Sequence, residues 1–274
     1  MIISHKHKFI FMHSRKTAGS SLATKLNRHL GPDDIQIGAW IDTIESGGRF
    51  NKNAIIKSAN YPFKILLSSL KYSFAERRLA LSPTAINSSL KLYYRSISND
   101  ELTTHSSAKV VKENFSDIWN EYFKFAFVRN PFSHAVSDYY WRLHLCGQPN
   151  ISFKEFIYRL FDLNRSDPEG IRPPIISNWE IYTNNDIIDL DFIGCFERLD
   201  EDVNKVSNFI GLPLAKDLKK SKSSIRTKTK SIEEHYDKDL IEKVNIIYEK
   251  EINHFGYSPF EGPPSKFQQL LIWN

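Results

Sequence analysis

A short run of basic, small and hydroxylated residues near the start of the chain has the composition of an anion-binding loop. It reads SRKTAGSS over residues 14–21 and follows the apolar residues 9–12. Lys16 carries positive charge, and Gly19 lets an oxyanion approach the backbone closely. Ser20 and Ser21 supply hydroxyl donors. These residue types in this order predict a site for a phosphate group.

The elements on either side of this loop would hold it in position. Residues 9–12 have the length of a buried strand, and Leu22, Leu26 and Leu30 recur at helical spacing until a Gly-Pro pair ends the pattern. The free N–H groups and the dipole at the start of a helix attract anions. The segment is not a Walker A loop, because the first glycine of G-x-x-x-x-G-K-[ST] is missing and the lysine precedes the remaining glycine.

A second strand, cationic turn and helix are predicted further along the chain. Residues 125–128 read FAFV, which is typical of a buried strand, and Arg129 stands at its end. A proline then suits the first turn of a helix that carries Ser133 and Ser137 on one face. Ligands of open α/β sheets bind beyond the carboxyl ends of the strands, so we expect Lys16 and Arg129 to face one ligand.

Both segments resemble the donor-binding segments of sulfotransferases. The first, R-K-T-A-G-S-S-L between a strand and a helix, is similar to the 5′-phosphosulfate loop of the carbohydrate sulfotransferase branch. The second, F-V-R-N-P-F-S-x-A-V-S-x-Y-Y, resembles the family's 3′-phosphate-binding segment, with His134 where many relatives have arginine. The resemblance covers residues 8–30 and about 105–257, and it implies an α/β, P-loop-like three-layer fold with a central, mostly parallel sheet flanked by helices.

The resemblance also implies a donor, 3′-phosphoadenosine 5′-phosphosulfate, with adenosine 3′,5′-bisphosphate as product. Arg129 and Ser137 would bind its 3′-phosphate. The residues implied for its 5′ end are Arg15, Lys16, Thr17, Ala18, Gly19, Ser20 and Ser21. This scheme requires no metal, and no metal-ligand cluster is visible in the sequence.

Two residues are predicted to be catalytic. Negative charge develops on the leaving phosphate during sulfuryl transfer, and Lys16 is placed to neutralise it. A base must also take the proton of the acceptor hydroxyl, and histidine titrates in a suitable range. His105 is our candidate because His105-Ser106-Ser107-Ala108 matches the H-x-[ST]-A of the branch. His13, at the end of the first strand, and Glu101 are alternatives.

Composition sets the broad class of the protein. The 274 residues suffice for one large α/β domain, and the net charge of +5 with a pI near 9.0 favours anionic partners. Cys146 and Cys195 are the two cysteines, which favours a reducing compartment. The N-terminal segment lacks the apolar run of a signal peptide, and no stretch has the length of a membrane span. We therefore expect a soluble, cytoplasmic, bacterial-type protein.

The segment at about 49–98 is strongly basic. Residues 49–97 hold nine basic residues and one acid, Glu76, so their charge is 9 − 1 = +8. Two interpretations remain open: a helical insertion with a solvated basic face, or a surface for an anionic or membrane-bound acceptor. No nucleic-acid-binding motif is present. We predict one domain over residues 1–274, with this insertion and a C-terminal tail at 258–274.

The function predicted from these observations is sulfuryl transfer to a hydroxyl group of a carbohydrate, either a glycan or a glycolipid. Peripheral membrane contact is compatible with this prediction, and the sequence leaves the oligomeric state open. Two rival functions remain: a P-loop-type kinase, and a non-enzymatic protein that binds anionic glycans or a membrane surface through residues 49–95.

Overall fold

The computed structural model describes residues 1–76, 80–98, 101–214 and 230–263. Its strands are β1 Ile2–Ser4, β2 Phe9–Phe11, β3 Ile35–Gln36, β4 Phe123–Val128, β5 Thr183–Asn184, β6 Ile187–Ile188 and β7 Phe192–Cys195. Its helices are α1 Gly19–Asn27, α2 Trp40–Glu45, α3 Lys52–Ser58, α4 Pro62–Glu76, α5 Pro83–Ser96, α6 Ala108–Asn114, α7 Ser116–Trp119, α8 Pro131–Leu145, α9 Phe153–Phe161, α10 Trp179–Tyr182, α11 Leu199–Ile210, α12 Lys238–Ile247 and α13 Glu249–Phe255.

A five-stranded sheet with the order β3-β1-β2-β4-β7 forms the centre of the fold. Strand β2 pairs in parallel with β4, and β4 pairs in parallel with β7. Strand β1 is antiparallel to both β2 and β3, so it alone runs against the common direction within this sheet. The predicted mixed α/β fold with a central, mostly parallel sheet is confirmed.

Alternate residues of the strands enter two different cores, which is why the strands read as continuous apolar runs. Ile10, Ala126 and Ile193 point into one core, which includes residues of α5, α6 and α10. Phe11 and Phe125 point into the other, with residues of α1 and α11. Helices therefore flank the sheet on both faces, as the sequence predicted.

The two predicted strand-turn-helix segments are present. Strand β2 leads into α1, and β4 leads into α8, whose first residue is Pro131. The sequence offers Ser106 or Ser107 as the cap of a helix through Val110 and Val111, and in the structure the Ser107 side chain accepts a hydrogen bond from the N–H of Val110 and caps α6. Because β2 and β4 are adjacent and parallel, their following turns lie side by side at one edge of the sheet.

The structure differs from the sequence interpretation in two places. Strand β1 was not predicted, because three apolar residues before a basic turn give too short a pattern. The apolar spacing of residues 240–255 predicts one amphipathic helix, but Tyr248 interrupts it between α12 and α13 with φ −114° and ψ 27°. The ring of Tyr248 is buried at this break between the two helices. Gly256, with φ 70°, ends α13 as the pattern indicated.

The basic segment contributes α3, α4 and α5. Ala54 of α3 and Ile86, Leu90 and Tyr94 of α5 are buried in the core, whereas α4 has no buried residue. The predicted tail at 258–274 is described only as far as residue 263. Within the described ranges, no helix combines the length and the apolar character needed to cross a bilayer.

Candidate active site

The loop between β2 and α1 reverses direction through two residues in the left-handed region. Lys16 and Ala18 both have φ 61°, a conformation that costs non-glycine residues free energy and that therefore depends on support from the surrounding structure. Ala18 occupies the N-cap position of α1, and its side chain has no oxygen to cap the first turn. The amino end of α1 is thus presented at the carboxyl edge of the sheet, with Ser20 and Ser21 half-buried in its first turn.

Hydrogen bonds to neighbouring elements hold this loop from behind. The hydroxyl of Ser14 donates to the carbonyl of Phe127 in β4, and the buried Thr17 hydroxyl lies 2.9 Å from the Ser14 hydroxyl. The side chain of Asn178 makes two hydrogen bonds to the backbone of Arg15. Its Oδ1 accepts from the Arg15 N–H at 2.8 Å, and its Nδ2 donates to the Arg15 carbonyl at 3.1 Å. The loop conformation is therefore fixed by β4 and by the residues before α10.

The side chain of Arg15 points away from the predicted anion site. Its guanidinium lies 2.6 Å from Asp138 Oδ1, and it also donates to the carbonyl of Ile175. The side chains of Arg15 and Asp138 are 9% and 1% exposed, so this ion pair is buried. Arg15 thus joins the loop to α8 from the interior.

Gly19 is required by the ring that lies against it. A Cβ atom at this position would overlap the imidazole of His13. That imidazole stacks on Phe11 at 5.6 Å and meets the ring of His105 edge-on at 4.9 Å. Both histidines predicted as candidate bases are therefore neighbours of the amino end of α1, while Glu101 is exposed on the loop before α6.

Arg129 connects the two turns directly. Its Nη1 donates to the carbonyl oxygen of Lys16 at 3.0 Å, and its Nε donates to the hydroxyl of Ser133 at 2.8 Å. The guanidinium also lies 4.2 Å from the centroid of the Phe196 ring. The two cationic turns are therefore in direct contact at one edge of the sheet, and that they face one ligand stays a prediction.

One face of α8 lines this site. Ser133, Ser137 and Trp141 are four residues apart and share that face. The amine of Lys16 lies 5.0 Å from the centroid of the Trp141 ring, which orients the lysine side chain along the helix. The role of Trp141 was missed, although continuing the Ser133–Ser137 spacing by four residues would have found it.

Behind the loop lies a cluster of buried polar groups. Neither ring nitrogen of His134 has a hydrogen-bond partner in the part of the chain that the structure describes, and its ring packs edge-on against Tyr248 at 5.5 Å. Burial, reinforced by the charges of Arg15, Arg129 and Lys16, holds the pKa of His134 well below its usual value. The imidazole of His134 is therefore neutral and lies close to the basic residues of both turns.

Comparisons with known proteins decide the family. The sequence profile described as "Sulfotransferase family" matches residues 1–258. The chain belongs to the sulfotransferase family. It is also 32% identical over 96 residues to an uncharacterized protein of Archaeoglobus fulgidus, a match that spans 35% of this chain and 73% of that protein. No solved structure matches the chain. The protein is therefore a sulfotransferase enzyme.

In this sulfotransferase, His105 has a defined tautomer. Its Nδ1 lies 2.6 Å from the carbonyl oxygen of His13, which can only accept, so Nδ1 carries the proton and Nε2 keeps its lone pair. Burial lowers the pKa of His105 to about 3, so the ring is neutral at physiological pH. A neutral imidazole with an unprotonated Nε2 is the form in which histidine accepts a proton.

A second ionisable group lies further inside the sulfotransferase. Glu251 of α13 is buried, and it accepts hydrogen bonds from the Ser177 hydroxyl at 3.0 Å and from the Asn178 N–H at 2.9 Å. Burial raises the pKa of Glu251 to about 7. This carboxyl group therefore fixes Asn178, which in turn holds the backbone of Arg15.

Proposed function

We propose that this sulfotransferase uses 3′-phosphoadenosine 5′-phosphosulfate as donor and a carbohydrate hydroxyl as acceptor. The observation that supports the proposal is the hydrogen bond from Arg129 to the Lys16 carbonyl, because it joins the cationic turns after β2 and β4 directly. We further propose that β2, the loop and α1 form a P-loop-like unit. The first helical turn and the hydroxyls of Ser20 and Ser21 would hold the 5′-phosphate.

The 3′-phosphate would bind at the second turn. Arg129 is oriented by Ser133 and by the Phe196 ring, and the hydroxyl of Ser137 lies one turn further along the same face of α8. The donor supplies an activated sulfuryl group. Of the residues implied for its 5′ end, Arg15 and Thr17 have their side chains bonded within the protein, so we propose that they shape the loop rather than contact the donor through those side chains.

Lys16 would stabilise the charge that develops as the sulfur–oxygen bond to the leaving phosphate breaks. The acceptor oxygen forms the new bond to sulfur, and the electron pair of the broken bond goes to the phosphate. His105 would take the acceptor proton at Nε2. The negative charge of a bound donor would raise the low pKa of His105 and make it a more effective base. Because His13 lies against His105, it remains the alternative base.

The main test replaces Lys16 by alanine and measures sulfuryl transfer from labelled donor. We expect turnover to fall by about a hundred-fold or more, because charge stabilisation in the transition state is lost. Arg129→Ala should mainly weaken the binding of adenosine 3′,5′-bisphosphate, read as a smaller thermal shift. Lys109→Ala is the matched control, since this lysine is 61% exposed on α6.

Two outcomes would contradict the proposal. Full activity of Lys16→Ala, or an unchanged thermal shift with Arg129→Ala, would show that the donor binds elsewhere. A thermal shift with ATP and magnesium but none with adenosine 3′,5′-bisphosphate would favour nucleotide chemistry of the kinase type. His105→Ala with normal donor binding and retained turnover would assign the base to another residue.

A further inference from the structure

Helix α4 packs against the rest of the protein with its more polar face. Ile65, Ser69, Tyr72 and Ser73 are its half-buried residues on this side. The hydroxyl of Ser69 accepts from the Ser82 N–H at 3.0 Å, and the hydroxyl of Ser73 bonds both the N–H and the carbonyl of Ala80 at 3.0 Å. Side-chain hydroxyls and the segment before α5 therefore anchor the helix, and no residue of α4 is buried.

The opposite face of α4 is strongly apolar and points outward. Its five large residues share one stripe because they follow the spacing i, i+3, i+4, i+7 and i+11. Their exposed fractions are 80% for Phe63, 57% for Leu66, 63% for Leu67, 59% for Leu70 and 89% for Phe74. A helix that turns two phenylalanines and three leucines to solvent while hydrogen-bonding through serines has the reverse of the ordinary arrangement. Such a stripe marks a binding surface.

Basic residues accompany the stripe. Lys64 and Lys71 are exposed and seven residues apart, so they flank the same edge of the apolar stripe. The surrounding residues 49–97 carry a net charge of +8. The surface therefore combines a continuous apolar face with positive charge beside it.

The positive charge beside the apolar stripe favours one kind of binding partner over another. A second copy of this chain would bring two equally basic surfaces together, and like charges oppose such a contact. An anionic lipid surface offers both complementary features, since its acyl region accepts Phe and Leu side chains while its headgroups attract lysines. We propose that α4 is an interfacial helix that docks this sulfotransferase on an anionic membrane. The proposal goes beyond the donor site and does not depend on it.

The test measures binding of the full chain to lipid vesicles by flotation. One set of vesicles contains phosphatidylcholine alone, and the other contains phosphatidylcholine mixed with phosphatidylglycerol. We expect binding to the mixed vesicles and little binding to the neutral ones. Added salt should weaken the binding, because the lysines contribute through a screened electrostatic attraction.

Two variants separate the apolar and the basic contributions. The triple variant Phe63→Gln, Leu67→Gln, Phe74→Gln should lose vesicle binding. The double variant Lys64→Gln, Lys71→Gln should bind about 25-fold more weakly, since each lysine near an anionic surface contributes about five-fold. Matched controls are Leu163→Gln with Ile187→Gln, at positions 63% and 72% exposed, and Lys109→Gln with Lys250→Gln.

Several outcomes would overturn the proposal. These are absence of binding to the anionic vesicles, equal binding to both kinds of vesicle, or binding that the triple variant retains. A concentration-dependent dimer that the triple variant abolishes, without vesicle binding, would assign the surface to a second copy. Thermal shift with adenosine 3′,5′-bisphosphate is read on the same variants and should not change, so failure here is distinguishable from failure of the donor site.

Discussion

The loop after β2 and the outer face of α4 depart from the usual distribution of residues in opposite directions. Behind the loop, Arg15, Asp138, His134 and Glu251 are all less than a tenth exposed. On α4, Phe74 is 89% exposed. Neither arrangement is favourable for folding by itself. Burying charged groups costs free energy, and exposing large apolar side chains gives up the stabilisation that their burial would provide.

The contrast shows how each region depends on its surroundings. Arg15 is bonded to Asp138, and Glu251 is bonded to Asn178, which holds the loop, so the stabilisation of these groups is already present within the folded chain. Among the residues that the structure describes, the apolar stripe of α4 has no such arrangement, and we propose that a membrane supplies its stabilisation. The first region should therefore respond strongly to single substitutions, and the second should respond weakly until a membrane is added.

The largest effect on stability should come from breaking the Arg15–Asp138 pair. Asp138→Ala leaves the Arg15 guanidinium buried without its carboxylate, and the expected loss is about 3–5 kcal/mol in the free energy of unfolding. Chemical denaturation measures this loss. The same variant should also weaken the thermal shift given by adenosine 3′,5′-bisphosphate, because Arg15 holds the loop that we propose binds the donor.

The control for this experiment is Glu113→Ala. Glu113 pairs with Lys109 at 3.9 Å on the surface of α6, where both side chains are more than half exposed. Such a pair contributes at most about 0.5 kcal/mol. If Asp138→Ala cost no more than this control, the buried pair would not be the support of the loop.

An intermediate effect is expected from Glu251→Gln and should depend on pH. The pKa of Glu251 is about 7 in the folded protein, raised from the model-peptide value of 4.5. Between these two values the unfolded chain is ionised while the folded protein keeps its proton, so stability falls as the pH rises. The penalty is complete above the folded pKa and amounts to about 3 kcal/mol.

Glutamine keeps the shape and hydrogen-bonding capacity of Glu251 but does not ionise. We therefore expect the variant to match the parent protein at about pH 5 and to be more stable than it at about pH 8. Denaturant titrations at both pH values measure the difference. If the free energies of unfolding of the two proteins differed by the same amount at both pH values, Glu251 would not titrate in this range.

The smallest effect on stability should come from the triple variant Phe63→Gln, Leu67→Gln, Phe74→Gln. These side chains are at least 63% exposed, so their removal costs little contact within the protein. Each exposed substitution should change the free energy of unfolding by no more than about 0.5 kcal/mol. A loss of several times that value would show that the stripe is packed against this chain and would remove the contrast.

Local patterns were sufficient to predict much of the fold and the centre of the site. The apolar runs before Lys16 and Arg129 and the helical spacing after them are short-range signals, and both segments formed as predicted. Their convergence on one edge followed from parallel pairing of β2 and β4. The cap at Ser107 is equally local.

Contacts between distant segments could not be predicted in the same way. The resemblance implies that Arg15 binds the donor, and no local pattern indicated that Asp138 and the carbonyl of Ile175 hold its guanidinium in the interior. Asn178 bonds the backbone of Arg15, which lies 163 residues earlier in the chain, and no local pattern predicts that contact. The outward orientation of the apolar face of α4 could likewise not be predicted from the sequence, because an apolar stripe at helical spacing ordinarily faces a core.

The hydrogen bond between Arg129 and the carbonyl of Lys16 has a consequence for how the two positions can change. Lys16 presents its carbonyl to Arg129 through a left-handed backbone, while its amine lies over Trp141. A substitution at Arg129 therefore also changes the position of the Lys16 backbone and side chain. The double variant should lose less transition-state stabilisation, in free energy, than the sum of the losses of the two single variants. In evolutionary terms the two residues are epistatic: a replacement at one alters which replacements the other tolerates.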